Sequence, residues 1–319
     1  MPPYRINVNW EWTGRCNARC AMCPRSMIDN AQLATYATFS LALGRLEPRD
    51  VYRCIVAGYG EPTTHPRFDH FVDLLRGHPV DFDLATNGSL LNEARLRRLD
   101  GVFDRVMISF SSIDPVVYGQ THNGLDQPTV LSNILAAQKV LQRSRLVINL
   151  SPTGACLDTL EATLAWFKGH GIDELHMSPT YYDRAGAQAT AAQPSHQRLR
   201  AAIRQHRLQS QELAFVSGPR DIFHQWRRNR HKCVPRNVSL MLAASGDYTY
   251  CFNDITHGHA LGNVHDMGLR EALLLRERTA AEAALCDHCN LRHRYGPREL
   301  LRVAWGYART RLAPAFVHG

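Results

Sequence analysis

The sequence predicts an α/β fold, and three observations carry that prediction. Short β-branched or apolar runs alternate with amphipathic stretches over residues 1–185, as they do in repeated strand–helix units. A polar or glycine-containing segment follows each of six such runs. A shorter region with turns, short apolar runs and four cysteines comes after the repeats. Six parallel units suggest a barrel or partial barrel, in which ligands bind at the carboxyl ends of the strands.

The predicted elements divide the chain into four parts. Residues 1–185 form the barrel, 186–232 a basic helical bridge, 233–290 a small α+β unit, and 291–319 a C-terminal tail. The six strand candidates are Arg5–Trp10, Val51–Ala57, Asp81–Ala85, Arg105–Phe110, Arg145–Leu150 and Glu174–Ser178. The amphipathic helix candidates include Arg67–Leu75, Val130–Leu141, Leu157–Lys168 and, in the small unit, Leu269–Ala284.

Composition limits the class of protein. The chain has 319 residues, 45% of them hydrophobic, which is enough for a sizeable core. It has no run of about 18 apolar residues that would span a membrane, and its N-terminus lacks the pattern of a secretory signal. We therefore expect a cytoplasmic protein that does not act on membranes. The net charge of +8 is spread along the chain, with one dense stretch at residues 227–232. A solvated basic face is the favoured interpretation, and nucleic acid is not an expected partner.

Nine cysteines are many for a cytoplasmic chain of this length. Disulfides are rare in that compartment, so metal or redox chemistry is the leading explanation. Seven of the nine fall into two groups, while Cys54 and Cys156 stand apart. Cys54 begins the second strand candidate, which favours a structural role.

The first group is the triplet Cys16, Cys20 and Cys23, spaced CxxxCxxC directly after the first strand candidate. Three thiolates can hold three irons of a [4Fe–4S] cluster and leave the fourth iron open. Such an iron can chelate the amino and carboxylate groups of an amino acid. The alternative from spacing alone is a zinc site with a distant fourth ligand.

The surroundings of this triplet resemble the radical S-adenosylmethionine (radical SAM) superfamily. In that family CxxxCxxC follows the first strand of a partial (β/α)6 TIM-type barrel. The segment Gly58-Tyr59-Gly60-Glu61-Pro62 is similar to the family's second-strand motif, although Tyr59 interrupts the usual pair of glycines. The resemblance implies that Gly58, Gly60 and Glu61 receive the methionine amino group of S-adenosylmethionine.

Further cofactor contacts are implied by the same resemblance. Met22 would lie near the adenine, and polar or apolar residues on later strands would face the cofactor: Asn87, Ser109, Ser111, Asn149, Met177 and Ser178. Ordinary loop polarity and capping are the alternative for each of them alone. The implied chemistry is reductive cleavage of S-adenosylmethionine to a 5′-deoxyadenosyl radical, which abstracts hydrogen from a substrate. The implied redox partner is an electron donor of the flavodoxin or ferredoxin type.

The second group is Cys233, Cys251, Cys286 and Cys289. In isolation these spacings favour a zinc ribbon. Their order along residues 233–290, with GDYTYC, Asp254, LGNV and CDHC, resembles the SPASM or twitch extension of radical SAM enzymes. A full SPASM domain has two further cysteines, and none follows Cys289. The resemblance therefore implies the shorter twitch form with one auxiliary [4Fe–4S] cluster.

Enzymes of this group modify peptides and proteins or oxidise small molecules. Since the first strand candidate begins near Arg5, we expect no leader-binding domain before it, which favours a small polar substrate. That substrate is a sugar, an aminocyclitol or aminoglycoside, or a nucleoside, oxidised in natural-product (antibiotic) biosynthesis. Candidate substrate contacts are His122, Tyr181, Tyr182, Asp183 and Arg184. Packing at a domain interface is their alternative role.

Three other functions stay open at this point. One is a redox-neutral epimerase in which Cys156, after the fifth strand, returns a hydrogen atom to the substrate. Another is a peptide or protein maturase. The third is a non-enzymatic zinc protein with two structural sites. Colour separates the last from the others, because iron–sulfur protein is brown and zinc protein is colourless.

Overall fold

The structure is a computed structural model that describes residues 6–151, 153–177, 196–210, 239–279 and 285. Within these ranges ten strands form one sheet. In chain order, β1 to β10 are Ile6–Trp10, Val51–Val56, Asp81–Thr86, Arg105–Ser109, Arg145–Leu150, Leu175–Met177, Gln209–Ser210, Ser239–Leu242, Asp247–Thr249 and Ala260–Asn263. Their order across the sheet is β10-β9-β8-β1-β2-β3-β4-β5-β6-β7.

The first seven strands run parallel, each beside the next along the chain. This is the arrangement of a partial barrel, and the predicted α/β class is confirmed. All six strand candidates are strands, with ends that differ by at most a few residues from the predicted ones. Parallel strands place all their carboxyl ends at one edge of the sheet, so the loops after β1 to β6 meet there.

Helices connect these strands and pack on one face of the sheet. The helices described, α1 to α9, are Tyr36–Arg45, Phe68–Leu74, Glu93–Leu99, Pro115–Thr121, Gln127–Val140, Gly154–Asp158, Leu160–Gly169, His196–Gln205 and Leu269–Arg278. Polar side chains cap several helix starts: Thr35, Asn92, Asp114 and Asp126 each accept a backbone N–H of the first turn. None of the described helices is long and apolar enough to cross a membrane.

The face of β1 toward the helices is anchored by stacked aromatic rings. Trp10 stacks on Phe39 of α1 at 4.7 Å, and Phe39 stacks on Phe71 of α2 at 3.9 Å. Trp12 meets Phe39 and Phe71 edge to face. All four side chains are buried. Cys54 of β2 is buried in the same apolar layer. This packing fixes the direction in which β1 delivers the cysteine loop.

The inner face of the sheet, opposite the helices, has polar residues toward both ends of the strands and a buried apolar layer, Met107 and Val147, between them. Near the amino ends of the strands it holds a network of ion pairs around Asp83, which is fully buried. Arg53 Nη1 lies 2.6 Å from Asp83 Oδ1, and Arg105 Nε lies 3.0 Å from Asp83 Oδ2. Arg53 also reaches Asp104 at 2.9 Å. The network closes this end of the partial barrel.

The segment after residue 238 joins the same sheet rather than forming one of its own. Strand β8 pairs in parallel with β1, and Asn9 donates to the hydroxyl of Ser239 at 2.7 Å. The buried Arg276 of α9 donates to the carbonyl of Ser239 at 2.7 Å. The turn from β8 to β9 requires a positive φ, which Gly246 supplies at 91°. The predicted short strands and helix of this segment are confirmed, whereas its pairing with β1 was not predicted.

We predict that Asp83→Asn lowers the free energy of unfolding by about 3 kcal/mol or more, because it leaves buried cationic groups without their partner. Urea unfolding followed by circular dichroism measures this change. The matched control is Glu93→Gln, which breaks an exposed pair with Arg97 and is expected to cost less than about 1 kcal/mol. Equal effects of the two substitutions would contradict the structural role of the network.

Candidate functional site

The cysteine triplet lies on the loop that leaves β1 at the carboxyl edge of the sheet. Cys16, Cys20 and Cys23 are all half-buried. A tight turn joins the last two, with the N–H of Cys23 donating to the carbonyl of Cys20 at 2.9 Å. The N–H of Ala18 points at Cys16 Sγ at 3.4 Å. Backbone N–H groups of this kind stabilise negative charge on sulfur.

Hydrogen bonds to neighbouring loops hold this segment in place. Arg19 N–H donates to the carbonyl of Asn123 at 2.7 Å, and Ala21 N–H donates to that of Thr121 at 3.0 Å. These bonds attach the triplet to the end of α4. The middle of the cysteine loop therefore runs alongside the segment that follows β4.

A second set of contacts reaches the loops after β2 and β3. The guanidinium of Arg25 donates to the carbonyls of Gly14 at 2.9 Å and Tyr59 at 3.1 Å. The amide of Asn87 donates to Asn17 Oδ1 at 2.8 Å. The cysteine loop is thus tied to three other strand-end loops.

The thiols fit an iron–sulfur cluster by their chemistry. Burial raises the pKa of Cys16, and it raises the pKa of Cys20 to about 12. Thiolates so close together need positive charge beside them, which iron supplies. In the described part of the chain, no three His, Cys, Asp or Glu side chains converge on one metal ion. An iron–sulfur cluster does not need such convergence, because each thiolate binds a different iron.

Cys20 has a histidine neighbour. Its Sγ lies 3.6 Å from Nδ1 of His122, and Nε2 of the same ring lies 2.8 Å from Ser111 Oγ. His122 is 2% exposed, and burial lowers its pKa to about 4. The structure therefore brings His122, expected to be a substrate contact, against a cysteine of the triplet. Ser111, expected to contact the cofactor, is buried as its partner.

The glycines of the GYGEP segment are required by close approach. A Cβ at Gly58 would collide with the side chain of Glu11, and one at Gly60 would collide with the backbone of Thr13. The Glu11 carboxylate accepts the N–H of Tyr59 at 2.5 Å and that of Gly60 at 3.3 Å. Burial raises the pKa of Glu11 to about 7. Glu11 holds the segment against the end of β1.

Tyr59, which interrupts the usual glycine pair, packs between Met27 and Ile28 of the cysteine loop and the segment that follows Cys251. Its hydroxyl donates to the carbonyl of Phe252, and the two rings are 5.1 Å apart. Tyr59 is 4% exposed. It packs the segment after β2 onto the residue that follows Cys251.

Glu61 is buried and turned toward β3. Its Oε1 accepts from the N–H and hydroxyl of Thr63, at 3.1 and 2.5 Å, and from the hydroxyl of Thr86 at 2.7 Å. Its Oε2 accepts the N–H of Asn87 at 2.6 Å. Oε1 thus accepts three donors and Oε2 only this one among the contacts described, so Oε2 can take one more donor. Burial raises the pKa of Glu61.

Two predicted cofactor residues share the inner face of the sheet. Ser109 and Asn149 are register partners on β4 and β5, and both are half-buried. Within the described residues Asn149 Oδ1 is buried without a hydrogen-bond partner. Such an acceptor is costly unless a ligand or water donates to it.

The side chain of Met177 does not lie on the inner face with Ser109 and Asn149. It belongs to the apolar core on the helix side, while its neighbour His176 pairs with Asn149 in register. Met22 is half-buried on the cysteine loop, and Asn87 is buried between Glu61 and Asn17. Some predicted residues lie outside the described part of the chain: Ser178, Tyr181, Tyr182, Asp183, Arg184, Cys233, Cys286 and Cys289.

Cys251 and the segment that precedes Cys286 meet. The N–H of Asn253 donates to Cys251 Sγ at 3.3 Å, and its side-chain amide donates to the carbonyl of Leu285 at 2.9 Å. Leu285 directly precedes Cys286 in the sequence. Asn253 therefore links Cys251 to Leu285.

Sequence reasoning missed Glu11 and His176. The signal was present, since β1 and its extension alternate strictly: Asn7, Asn9 and Glu11 are polar, and Val8, Trp10 and Trp12 are apolar. Period-two alternation in a strand predicts one polar face. In the sixth strand candidate the same alternation selects His176 rather than Met177.

Comparison with known proteins gives a consistent result. Residues 10–150 match the family model described as the Radical SAM superfamily. An S-adenosylmethionine-dependent nucleotide dehydratase from Thermoplasmatales archaeon (strain ISO4-H5) is 29% identical over 148 residues, covering 46% of this chain and 52% of that protein. This chain thus spans about half the length of that curated relative.

Two solved structures share the fold over most of the chain. SuiB of Streptococcus suis, bound to the precursor peptide SuiA, has a TM-score of 0.68 at 12% identity and covers 90% of this chain and 70% of its own. The enzyme anSMEcpe with bound AdoMet has a TM-score of 0.64 at 15% identity and covers 98% and 95%. The cysteine loop lies at the carboxyl edge of a partial barrel, and the barrel segment, residues 10–150, matches the radical SAM superfamily.

Proposed function

We propose that this protein is a radical SAM oxidoreductase that removes a hydrogen atom from a small polar substrate. The substrate class is a sugar, an aminocyclitol or aminoglycoside, or a nucleoside, oxidised in natural-product biosynthesis. The observation that carries the proposal is the row of polar side chains at the carboxyl end of the inner face, where Ser109, Asn149 and His176 are register partners on β4, β5 and β6. Hydroxyl and amino groups are the donors that such a face accommodates.

The match to the superfamily implies a [4Fe–4S] cluster and S-adenosylmethionine. When bound, they supply a carbon-centred radical that abstracts hydrogen. We assign Cys16, Cys20 and Cys23 as the cluster ligands. The loops around them fix the triplet through the hydrogen bonds of Arg19, Ala21 and Arg25.

We assign Glu61, Ser109 and Asn149 to the cofactor. The remaining acceptor site on Glu61 Oε2 suits an ammonium group. The amide oxygen of Asn149 suits an exocyclic amine, such as that of adenine, and Ser109 lies beside it in register. His176, one strand further on, faces the same space and is a candidate for substrate contact.

The relatives bear on the substrate class. The curated relative with 29% identity is named for a nucleotide substrate, which supports the nucleoside branch of the proposal. The likeness to SuiB, a protein bound to a precursor peptide, lies at 12% identity and concerns the fold alone. A peptide substrate therefore has no comparable support.

We also propose the auxiliary [4Fe–4S] cluster, held by Cys233, Cys251, Cys286 and Cys289. Two contacts of Asn253 support it, one to Cys251 Sγ and one to the carbonyl before Cys286. The Tyr59–Phe252 contact supports a position for this site close to the loop after β2. A cluster there is a suitable acceptor for the electron that a substrate radical loses on oxidation.

Oxidation is favoured over epimerisation by the surroundings of Cys156. This cysteine is 2% exposed on α6, accepts the hydroxyl of Thr153 at 2.9 Å, and lies 3.3 Å from Thr121 Oγ1 of α4. It sits between two helices as a small, hydrogen-bonded core residue. A hydrogen donor to substrate would need to face the inner side of the sheet.

We predict that Glu61→Gln weakens binding of S-adenosylmethionine by about 10- to 150-fold, the loss of a charge-assisted bond of about 1.5–3 kcal/mol. Titration calorimetry measures the dissociation constant, and iron content is expected to stay unchanged. The control is Thr86→Val, which removes one hydrogen bond to Glu61 Oε1 but keeps its charge. If both variants lose the same affinity, Glu61 only supports the loop and does not contact the cofactor.

For the substrate class, we predict deuterium transfer into 5′-deoxyadenosine from a ring-deuterated nucleoside, nucleotide or aminocyclitol. The reduced holoenzyme is incubated with S-adenosylmethionine and each labelled compound, and 5′-deoxyadenosine is analysed by mass spectrometry. His176→Leu is expected to reduce the transfer because it removes the candidate substrate contact from the inner face. Transfer from labelled peptides alone would overturn the proposed substrate class.

For the oxidation, we predict that Cys156→Ala retains full turnover in deuterated water, with no deuterium in the product. Cys54→Ala serves as the control for loss of a buried thiol. Uptake of one solvent deuteron by the unmodified enzyme, lost together with turnover in Cys156→Ala only, would establish the epimerase instead.

A further inference from the structure

The hydrogen-bonded chain Cys20–His122–Ser111 has no role in the proposal above. We propose that His122 donates its Nδ1–H to the Cys20 sulfur and so raises the reduction potential of the cluster bound through that thiolate. Ser111 holds the imidazole in the tautomer that makes this donation. The inference rests on the assignment of Cys20 as a cluster ligand.

His122 is fixed in position by its surroundings. Its backbone N–H donates to the carbonyl of Tyr118 at 2.7 Å, and its ring lies 4.9 Å from the Tyr118 ring. Its carbonyl accepts the N–H of Leu125 at 3.1 Å. With 2% of its surface exposed, the ring is already oriented toward Cys20. Preorganised donors of this kind are the usual means by which a protein tunes a metal centre.

The tautomer follows from a count of donors and acceptors at Ser111. Its Oγ accepts the N–H of Ser151 at 3.2 Å and lies 2.8 Å from His122 Nε2. If Nε2 carried the proton, the Ser111 hydroxyl hydrogen would have no acceptor among the contacts described for it, at a buried site. If Nε2 is bare, it accepts that hydrogen and both groups are satisfied. The ring proton is then on Nδ1, 3.6 Å from Cys20 Sγ.

The effect on the cluster follows from its charge. Reduction adds one electron, so the reduced cluster is more negative than the oxidised one. A hydrogen bond to a ligand sulfur stabilises the more negative state and raises the reduction potential. His122 therefore acts as a positioning residue for electron entry, through Cys20 and without contact to the substrate.

The test is a redox titration of the full-length holoenzyme, followed by the paramagnetic resonance signal that changes when S-adenosylmethionine is added. That signal belongs to the cluster with the open iron, so an auxiliary cluster does not interfere. We expect His122→Phe to make reduction about tenfold less favourable, a shift of about 59 mV to more negative potential for one electron. His122→Asn, whose amide nitrogen can occupy the place of Nδ1, is expected to restore most of the shift.

Two further variants complete the design. In Ser111→Ala the imidazole is no longer held in the Nδ1–H tautomer, so the potential is expected to move in the same direction by a smaller amount. This variant is the alternative test if His122→Phe does not bind iron. His78→Phe, at a half-buried histidine at the opposite edge of the sheet, is expected to leave the potential unchanged.

An unchanged potential in His122→Phe with full iron content would overturn the inference. If His122→Phe does not bind iron, an unchanged potential in Ser111→Ala would also overturn the inference. A Cys20→Ala variant that keeps the signal responsive to S-adenosylmethionine would instead refute the ligand assignment. The variants at His122 and Ser111 thus test the role of the histidine, and Cys20→Ala separately tests whether Cys20 binds the cluster.

Discussion

The buried carboxylate of Glu61 is the interaction on which the arrangement of the site depends. Its side chain gathers donors from the loop after β3, through Thr86 and Asn87, while its own N–H donates to the carbonyl of Arg15 in the cysteine loop at 2.7 Å. Asn87 in turn reaches Asn17 between the first two cysteines. A buried carboxylate is costly unless its acceptors are used, so these three loops adopt one mutual arrangement. The triplet is thereby presented by a rigid frame although it lies on a loop.

The two ends of the inner face of the partial barrel carry different groups. Charged groups close the amino end, where Asp83 is held between two arginines. At the carboxyl end Ser109 and Asn149 lie in register, and the carboxylates of Glu11 and Glu61 accept hydrogen bonds from backbone N–H and hydroxyl groups. A radical reaction needs a bound substrate in a place without competing hydrogen donors. The separation puts the ion pairs away from the cysteine loop and leaves hydrogen-bonding groups next to it.

Much of this could be predicted from the sequence because the signals are local. The alternation of apolar and polar residues gave the parallel strands, and the spacing of Cys16, Cys20 and Cys23 gave the position of the site. The pairing of β8 with β1 could not be predicted, since it joins residues more than 200 positions apart and leaves no local pattern. For the same reason the partners of Tyr59 and His122 were missed: each meets a residue that the fold, not the neighbouring sequence, brings near. Met177 was selected by resemblance and its side chain lies in the helix-side core, whereas the strand's own alternation selects His176 for the inner face.

In our proposal Cys16, Cys20 and Cys23 hold the cluster that cleaves S-adenosylmethionine. The most direct measurement is iron content and 5′-deoxyadenosine formation in anaerobic protein with all three cysteines replaced by alanine. We expect about eight iron atoms per chain in the unmodified protein, about four in the variant, and no cleavage by the variant. Cleavage at the unmodified rate by the variant would contradict the proposal.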